Sequence, residues 1–203
     1  MSKKTQPIIF CLDLEGVLIP EIWIEVARRF KNEKLRLTTR DIPDYDKLMR
    51  YRLEILRKEN IKLKDIQNVI RGMKPLPGGK AFLDKLRTFG PVMILSDTYY
   101  EFANPLLVTL NHPVLFCNSL VTDSKGFIKN YTIRIRDGKK KAVHAFHQIN
   151  FRVHAAGDSY NDLSMILNAD KGVLFNPPSS IQKEYPRVPV AKTHQQLLKA
   201  LTA

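Results

Sequence analysis

The sequence predicts an α/β protein built on a parallel sheet, and three observations carry that prediction. An apolar run of strand character ends in Asp13 and Glu15, followed at once by Gly16. From residue 75 onward, short apolar runs alternate with amphipathic helical segments. The stretch 18–74 is helical in pattern and interrupts this alternation directly after the first strand. Strand–helix alternation implies a parallel sheet covered by helices on both faces, so we expect a Rossmann-like core with a small inserted helical cap.

The predicted boundaries follow from residue spacing. In the cap, Ile22, Val26 and Phe30 recur at helical intervals, and two further apolar faces fall within 48–56 and 66–70. The polar stretch 31–46 contains Pro43 and is predicted to connect the first two helices. The sequence Pro-Leu-Pro-Gly-Gly at 75–79 then ends the cap. We therefore assign residues 1–17 and 75–203 to the core domain and residues 18–74 to the cap domain.

Beyond residue 79 the elements are predicted in chain order. Helices are expected at 80–88, 99–110, 139–148, 162–167 and 195–201. Strands are expected at 91–96, 114–116, 151–156, 172–175 and, weakly, 188–191. The stretch 121–135 carries Asp-Ser-Lys-Gly at its centre and predicts a hairpin with glycine at the turn.

Composition narrows the class of protein. The 203 residues carry 33 Lys and Arg against 20 Asp and Glu, a formal net charge of +13, but the basic residues are spread along the chain. Zinc-finger spacing and an aromatic RNA-binding signature do not occur in the sequence, so we expect attraction for phosphorylated small molecules rather than nucleic acid. No apolar run is long enough for a membrane span. Cys11 and Cys117 lie in or beside apolar strands, which favours core thiols in a reducing, cytoplasmic setting.

Polar side chains follow three of the predicted strands. Asp13 and Glu15 end the first, Ser96 and Asp97 end another, and a cluster beginning at Asp158 ends a third. In open α/β sheets the reactive crevice lies beyond the carboxyl ends of the strands. Two carboxylates held on one face are costly unless a cation pairs with them, and Mg²⁺ prefers such oxygen ligands together with substrate phosphate. Each residue alone also fits an ordinary helix cap, but the three together predict a magnesium-dependent phosphate site.

These residues carry a resemblance to a known family. The first motif, the apolar run into Ser96 and the third motif Gly157-Asp158-x-x-Asn161-Asp162 resemble those of the haloacid dehalogenase-like phosphatases. More narrowly, the chain is similar to the phosphoserine phosphatase branch. Long local matches at 13–23, 39–46 and 155–162 resemble a bacterial subgroup that also transfers the phosphoryl group to homoserine.

The resemblance implies a role for each motif residue. Asp13 would be the nucleophile that forms an aspartyl-phosphate, and Glu15 the general acid and base. The predicted Mg²⁺ ligands are Asp13, the backbone carbonyl of Glu15, and Asp158. Ser96, Asp97, Asn161 and a lysine would contact the phosphate group. Glu21 would pair with the amino group of phosphoserine, and Arg52 with its carboxylate.

Four points stay open at the level of sequence. The phosphate-binding lysine is Lys139, Lys140 or Lys141, and the family spacing favours Lys139. Glu15 stands where most relatives carry Asp, which shifts the acid/base group and suits transfer to a second acceptor. The alternatives to a phosphoserine phosphatase are a phosphatase of another small metabolite, or a non-catalytic basic protein that binds polyanions. A homodimer is also left open.

Overall fold

The computed structural model describes residues 6–38, 41–42 and 44–203. Thr39, Arg40 and Pro43 of the predicted cap connection, and part of the family match at 39–46, lie outside the described residues. The strands are β1 (Ile8–Leu12), β2 (Val92–Tyr99), β3 (Val114–Thr122), β4 (Ile128–Thr132), β5 (Arg152–Gly157), β6 (Lys171–Phe175) and β7 (Val190–Ala191). The helices are α1 (Ile22–Phe30), α2 (Tyr45–Lys58), α3 (Leu63–Arg71), α4 (Gly79–Leu86), α5 (Tyr100–Leu107), α6 (Gly138–Gln148), α7 (Leu163–Ile166), α8 (Ser179–Glu184) and α9 (His194–Thr202).

Within the described ranges the strands form one sheet in the order β4-β3-β2-β1-β5-β6-β7. Neighbours are parallel except β3 and β4, which form an antiparallel hairpin. Alternation along β1 separates two cores, because successive side chains of a strand point to opposite faces. Phe10 and Leu12 join the larger hydrophobic cluster, whereas Ile9 and Cys11 join a second cluster with α6 and α7 on the other face. The predicted parallel sheet with helices on both faces is confirmed.

The helices α1, α2 and α3 lie between β1 and β2 in the chain, where the cap was predicted. Asp44 caps α2 by accepting the backbone N–H of Lys47. Apolar cap residues such as Ile22, Val26 and Ile70 belong to the same cluster as Phe10 on the sheet. The cap therefore packs continuously on one face of the sheet, and its division from the core as a separate domain stays a prediction.

Some boundaries differ from the sequence prediction. The expected strand at 114–116 and the first arm of the hairpin are one strand, β3. Asn118 and Ser119 interrupt its apolar pattern, but pairing with β2 and β4 on either side holds the backbone extended. The helix α8 was not predicted, because its polar sequence buries only Ile181. In the described part of the chain, none of the helices has the length and apolar character needed to cross a bilayer.

Candidate active site

The site lies at the carboxyl ends of three adjacent strands, β2, β1 and β5. Asp13 directly follows β1, and its backbone N–H donates to the carbonyl of Ala156 on β5 at 3.0 Å. Asp158 directly follows β5, while Ser96 and Asp97 lie near the end of β2. The parallel register therefore gathers residues that are far apart in the chain, as the sequence predicted for this edge of the sheet.

Asp13 is a buried carboxylate at the centre of the site. Its Oδ1 accepts the N–H of Leu14 at 2.8 Å and lies 3.1 Å from Nζ of Lys139. Burial raises the pKa of Asp13 well above its usual range, and the charge of Asp162 raises it further, while Lys139 acts in the opposite direction. A cation beyond Lys139 would relieve this repulsion.

Lys139, in the first turn of α6, is only 4% exposed. Besides Asp13, its Nζ lies 2.6 Å from Oδ1 of Asp162 and 3.7 Å from Oδ2 of Asp97. Burial alone lowers the pKa of Lys139, but the surrounding carboxylates outweigh it and the pKa is raised. Lys140 and Lys141 are exposed. Of the three lysines left open by the sequence, Lys139 is the one whose ammonium group reaches Asp13.

Asp162 organises the site, and it was absent from the residues predicted for it. It is fully buried, and its Oδ2 accepts the backbone N–H groups of Asp158 and Ser159, both at 3.0 Å. Its Oδ1 accepts from Lys139 at 2.6 Å. One carboxylate thus holds both the loop after β5 and the buried lysine. The sequence signal for it is an Asp four residues after Asp158, in the third motif Gly157-Asp158-x-x-Asn161-Asp162.

Gly16 allows Asp158 to approach the loop that follows Asp13. Its φ is +73°, in the left-handed region that favours glycine. A Cβ at this position would lie 2.4 Å from Cγ of Asp158. Any side chain here would therefore collide with the carboxylate or strain the turn that follows Asp13.

The carboxylates of Asp13, Asp158 and Asp162 form a cluster whose oxygen atoms lie within 4.8 Å of one another. The pKa of Asp158 is raised to about 7, first by burial and then by the charge of Asp162. Carboxylate oxygens at this spacing are suitable ligands for a divalent metal ion. The charge of Lys139 does not balance the three carboxylates, so a metal ion would also relieve their mutual repulsion. Since Asp162 already accepts four hydrogen bonds from Lys139 and the loop, Asp13 and Asp158 are the members suited to direct coordination.

The side chain of Glu15 points toward the cap. Its Oε2 accepts the backbone N–H of Ile22 at the start of α1, at 2.8 Å, and its carboxyl group also contacts the side chains of Thr98 and Glu21. The pKa of Glu15 is raised to about 8, first by burial and then by the neighbouring Glu21. A carboxyl group that keeps its proton near neutral pH can donate it to a leaving group. The predicted metal contact of Glu15 concerned its backbone carbonyl alone, and the side-chain geometry is compatible with that.

Arg52 brings a buried guanidinium from α2 toward Glu15 and Glu21, whose charges act on it. The residue is 6% exposed, its Nη2 donates to the carbonyl of Leu37 at 2.7 Å, and the guanidinium lies 4.3 Å from the ring centre of Trp23. Its Nε is buried and has no hydrogen-bond partner among the described residues. Burial lowers the pKa of Arg52 to about 10, so the group stays charged at neutral pH. A buried, charged donor without a partner fits an anionic ligand group.

The remaining predicted residues border the same space. Ser96 is buried and lines a small cavity together with Asp97 and Lys139. The Nδ2 of Asn161 donates to Oδ2 of Asp97 at 2.8 Å, which joins the loops after β2 and β5. Glu21 is exposed at the start of α1, with its carboxyl group against that of Glu15. Every residue predicted for the site therefore lies in one connected group.

Comparison with known proteins gives close relatives by sequence. No protein-family model matches the chain. The chain is 50% identical over 191 residues to the phosphoserine phosphatase of Pseudomonas syringae pv. tomato. The aligned region covers 94% of this chain and 81% of that relative. It is 48% identical over 189 residues to phosphoserine phosphatase ThrH of Pseudomonas aeruginosa, with 93% of this chain and 92% of that relative covered.

Solved structures give the same fold. A HAD family hydrolase from Salmonella enterica serovar Typhi superimposes with a TM-score of 0.78 at 20% identity, over 97% of this chain and 72% of the other. A phosphoserine phosphatase in its apo form gives a TM-score of 0.76 at 20% identity, over 98% and 100% of the two chains. The family resemblance and the fold class expected from the sequence are confirmed. With about half of its residues identical to those of two phosphoserine phosphatases along almost its whole length, the chain belongs to the phosphoserine phosphatase family.

Proposed function

We propose that this protein is a magnesium-dependent phosphatase of O-phospho-L-serine that works through an aspartyl-phosphate on Asp13. The observation that carries the proposal is the buried contact between Asp13 and Lys139, with the carboxylates of Asp158 and Asp162 beside it. A buried carboxylate next to one fixed cation and a potential metal site is the arrangement that nucleophilic attack on a phosphate monoester needs. The names of the two close relatives support phosphoserine as the substrate.

Asp13, Asp158 and the backbone carbonyl of Glu15 would hold Mg²⁺. When bound there, Mg²⁺ would neutralise the repulsion between carboxylates and phosphate and polarise a phosphoryl oxygen. Lys139 would hold a second phosphoryl oxygen, and the hydroxyl of Ser96 with the backbone N–H of Asp97 would donate to the others. Lys139 is held in place before substrate arrives, because Asp162 accepts a hydrogen bond from it.

The chemistry then divides into two displacements. Asp13 attacks phosphorus, the bond to the serine oxygen breaks, and Glu15 donates its proton to that oxygen. In the second step the deprotonated Glu15 takes a proton from water, which attacks phosphorus and releases Asp13 and inorganic phosphate. The hydrogen bond from Ile22 to Glu15 fixes the acid/base group between the nucleophile loop and the cap.

Transfer to homoserine is a second proposed activity, supported by the same residues. The unpartnered Nε of Arg52 and the carboxyl group of Glu21 offer complementary charges for the carboxylate and ammonium of any small amino acid. After serine leaves, an amino acid with a longer hydroxyl side chain could occupy this clamp and take the phosphoryl group from Asp13. The homodimer and the cytoplasmic location stay predictions from sequence.

Release of inorganic phosphate from a panel of phosphorylated metabolites, with Mg²⁺ or with EDTA, tests the main proposal. Phosphoserine is expected to give the highest kcat/KM, and EDTA is expected to abolish the activity reversibly. A higher kcat/KM on another metabolite would make that metabolite the proposed substrate and would leave the proposed mechanism unchanged. Phosphate release that is absent or insensitive to EDTA would contradict the mechanism, and its absence would favour the polyanion-binding alternative.

Substrate recognition predicts a selective defect in Arg52→Ala. Removing a charge-assisted hydrogen bond costs about 1.5–3 kcal/mol, so kcat/KM for phosphoserine should fall by roughly 10- to 150-fold. An aryl phosphate without a carboxylate should lose far less. Arg52→Lys, which keeps the charge but removes the planar fork, should lie between wild type and Arg52→Ala. Equal losses on both substrates would instead assign Arg52 a structural role through Leu37 and Trp23.

A further inference from the structure

The chain crosses between the sheet and the cap twice, and the two crossings are bonded to each other. The first crossing, residues 14–20, follows β1, and the second, residues 75–78, leads into α4. The backbone N–H of Leu76 donates to the carbonyl of Leu18 at 2.9 Å. The cap orientation over the nucleophile therefore depends on what fixes this pair of segments.

His194 lies beside both crossings. It is the first residue of α9, whose start is fixed by Thr193, since the Thr193 hydroxyl accepts the N–H of Gln196 at 3.2 Å. The imidazole packs against the ring of Phe82 on α4, at 5.3 Å between ring centres, and against Phe175 on β6, at 4.7 Å. These contacts leave the ring little freedom to turn.

The two ring nitrogens of His194 face one carbonyl from each crossing. Nε2 lies 2.8 Å from the carbonyl oxygen of Val17, and Nδ1 lies 3.0 Å from that of Pro77. A neutral imidazole donates from one nitrogen and an imidazolium from both. In either form the ring of His194 donates a hydrogen bond to at least one crossing and so ties it to α9. The other crossing is then held indirectly, because the hydrogen bond between Leu76 and Leu18 joins the two crossings.

We propose that His194 is a positioning residue that sets the cap over the active site by clamping both crossings to α9. The expected effect of His194 on catalysis rests on the proposed function, whereas its contacts with the two crossings do not. Val17 lies two residues after Glu15 and four residues before Glu21. A shift of the Val17 peptide therefore moves Glu15 and Glu21 together, whereas Lys139 is held on α6 and Asp158 follows β5.

His194→Phe tests whether His194 holds the two crossings. It keeps an aromatic ring between Phe82 and Phe175 but removes both ring nitrogens. Losing one or two neutral hydrogen bonds is expected to lower kcat/KM for phosphoserine about fivefold, mainly through KM. For an aryl phosphate, which has no amino or carboxylate group for Glu21 and Arg52 to bind, kcat/KM should change less than twofold. The matched control is Leu201→Ala, which removes a buried side chain at the other end of α9 and leaves both ring nitrogens of His194 in place. Unchanged selectivity in His194→Phe, or the same change in the control, would overturn the positioning role.

Hydrogen exchange of the Leu76 amide gives a readout that does not depend on activity. His194→Phe should speed its exchange at least about fivefold, since local opening of the crossings becomes easier, and Leu201→Ala should not. Exchange that is unchanged in His194→Phe would overturn the clamp. If wild type failed to hydrolyse phosphoserine, the proposed function would fall, while this exchange measurement would still decide whether His194 holds the crossings.

Discussion

Asp13→Asn is expected to lower phosphoserine turnover by at least about a thousandfold while leaving the protein folded. The change removes the attacking oxygen and one of the proposed metal ligands, and loss of an enzyme nucleophile typically has effects of this size or larger. The fold should tolerate it, because the Asn side-chain carbonyl can still accept the N–H of Leu14 and the repulsion around Asp158 decreases. Steady-state phosphate release and the melting temperature are the two measurements.

Asp97→Asn is the matched control for that experiment. It also removes a carboxylate near Lys139, but this one lies 3.7 Å away and its side chain is 53% exposed. We expect a loss of less than about tenfold, since exposed ion pairs contribute little. Appreciable turnover in Asp13→Asn, or equal losses in the two variants, would rule out covalent catalysis by Asp13.

Glu15→Gln is expected to suppress both phosphate release and phosphoryl transfer by roughly 10²- to 10⁴-fold, the usual range for a general acid or base. Glutamine can still accept the N–H of Ile22, so the loop should keep its position. Phosphorus NMR of phosphoserine mixed with homoserine reports both products at once. Wild type should give phosphohomoserine alongside inorganic phosphate, and the variant should give neither at a comparable rate.

Glu21→Gln separates acid/base chemistry from substrate binding in the same mixture. It removes the carboxyl group next to Glu15 but not the proposed proton donor, so KM should rise while kcat changes little. If wild type produces only inorganic phosphate over a wide range of homoserine concentrations, the transfer activity is wrong and hydrolysis alone remains. If Glu15→Gln keeps wild-type turnover, another group supplies the proton.

The strand-end residues were predictable because a local pattern determines where they lie. An apolar run followed by a carboxylate places Asp13 at the end of β1, and the same holds for Asp158 after β5. Parallel pairing then brings these ends together without further information. The same reasoning predicted helices between β1 and β2, where α1, α2 and α3 lie, since their apolar spacing differs from that of the strands on either side.

Residues whose roles depend on distant partners were harder to assign. Three consecutive lysines begin α6, and only the rotation of that helix against the sheet decides that Lys139 turns inward. Asp162 contacts Lys139 across 23 positions of sequence, so no local spacing revealed the pair. His194 lies even further from Val17 and Pro77 in the chain. A histidine at the start of an ordinary amphipathic helix gives no sequence signal for two carbonyl contacts.

The single hydrophobic cluster shared by the cap and the sheet limits how substrate can enter. Swinging the cap away as a rigid body would divide this cluster, at a cost of about 1.5–3 kcal/mol for each large apolar side chain that it exposed. Such an opening would be a rare event on the timescale of turnover. Entry and release are therefore expected to involve small displacements rather than release of the whole cap, and the hydroxyl groups of Tyr45 on α2 and Tyr99 on β2, 2.6 Å apart, also join cap to sheet. A substitution that loosened the shared cluster would then be expected to speed substrate exchange and to lower the melting temperature together.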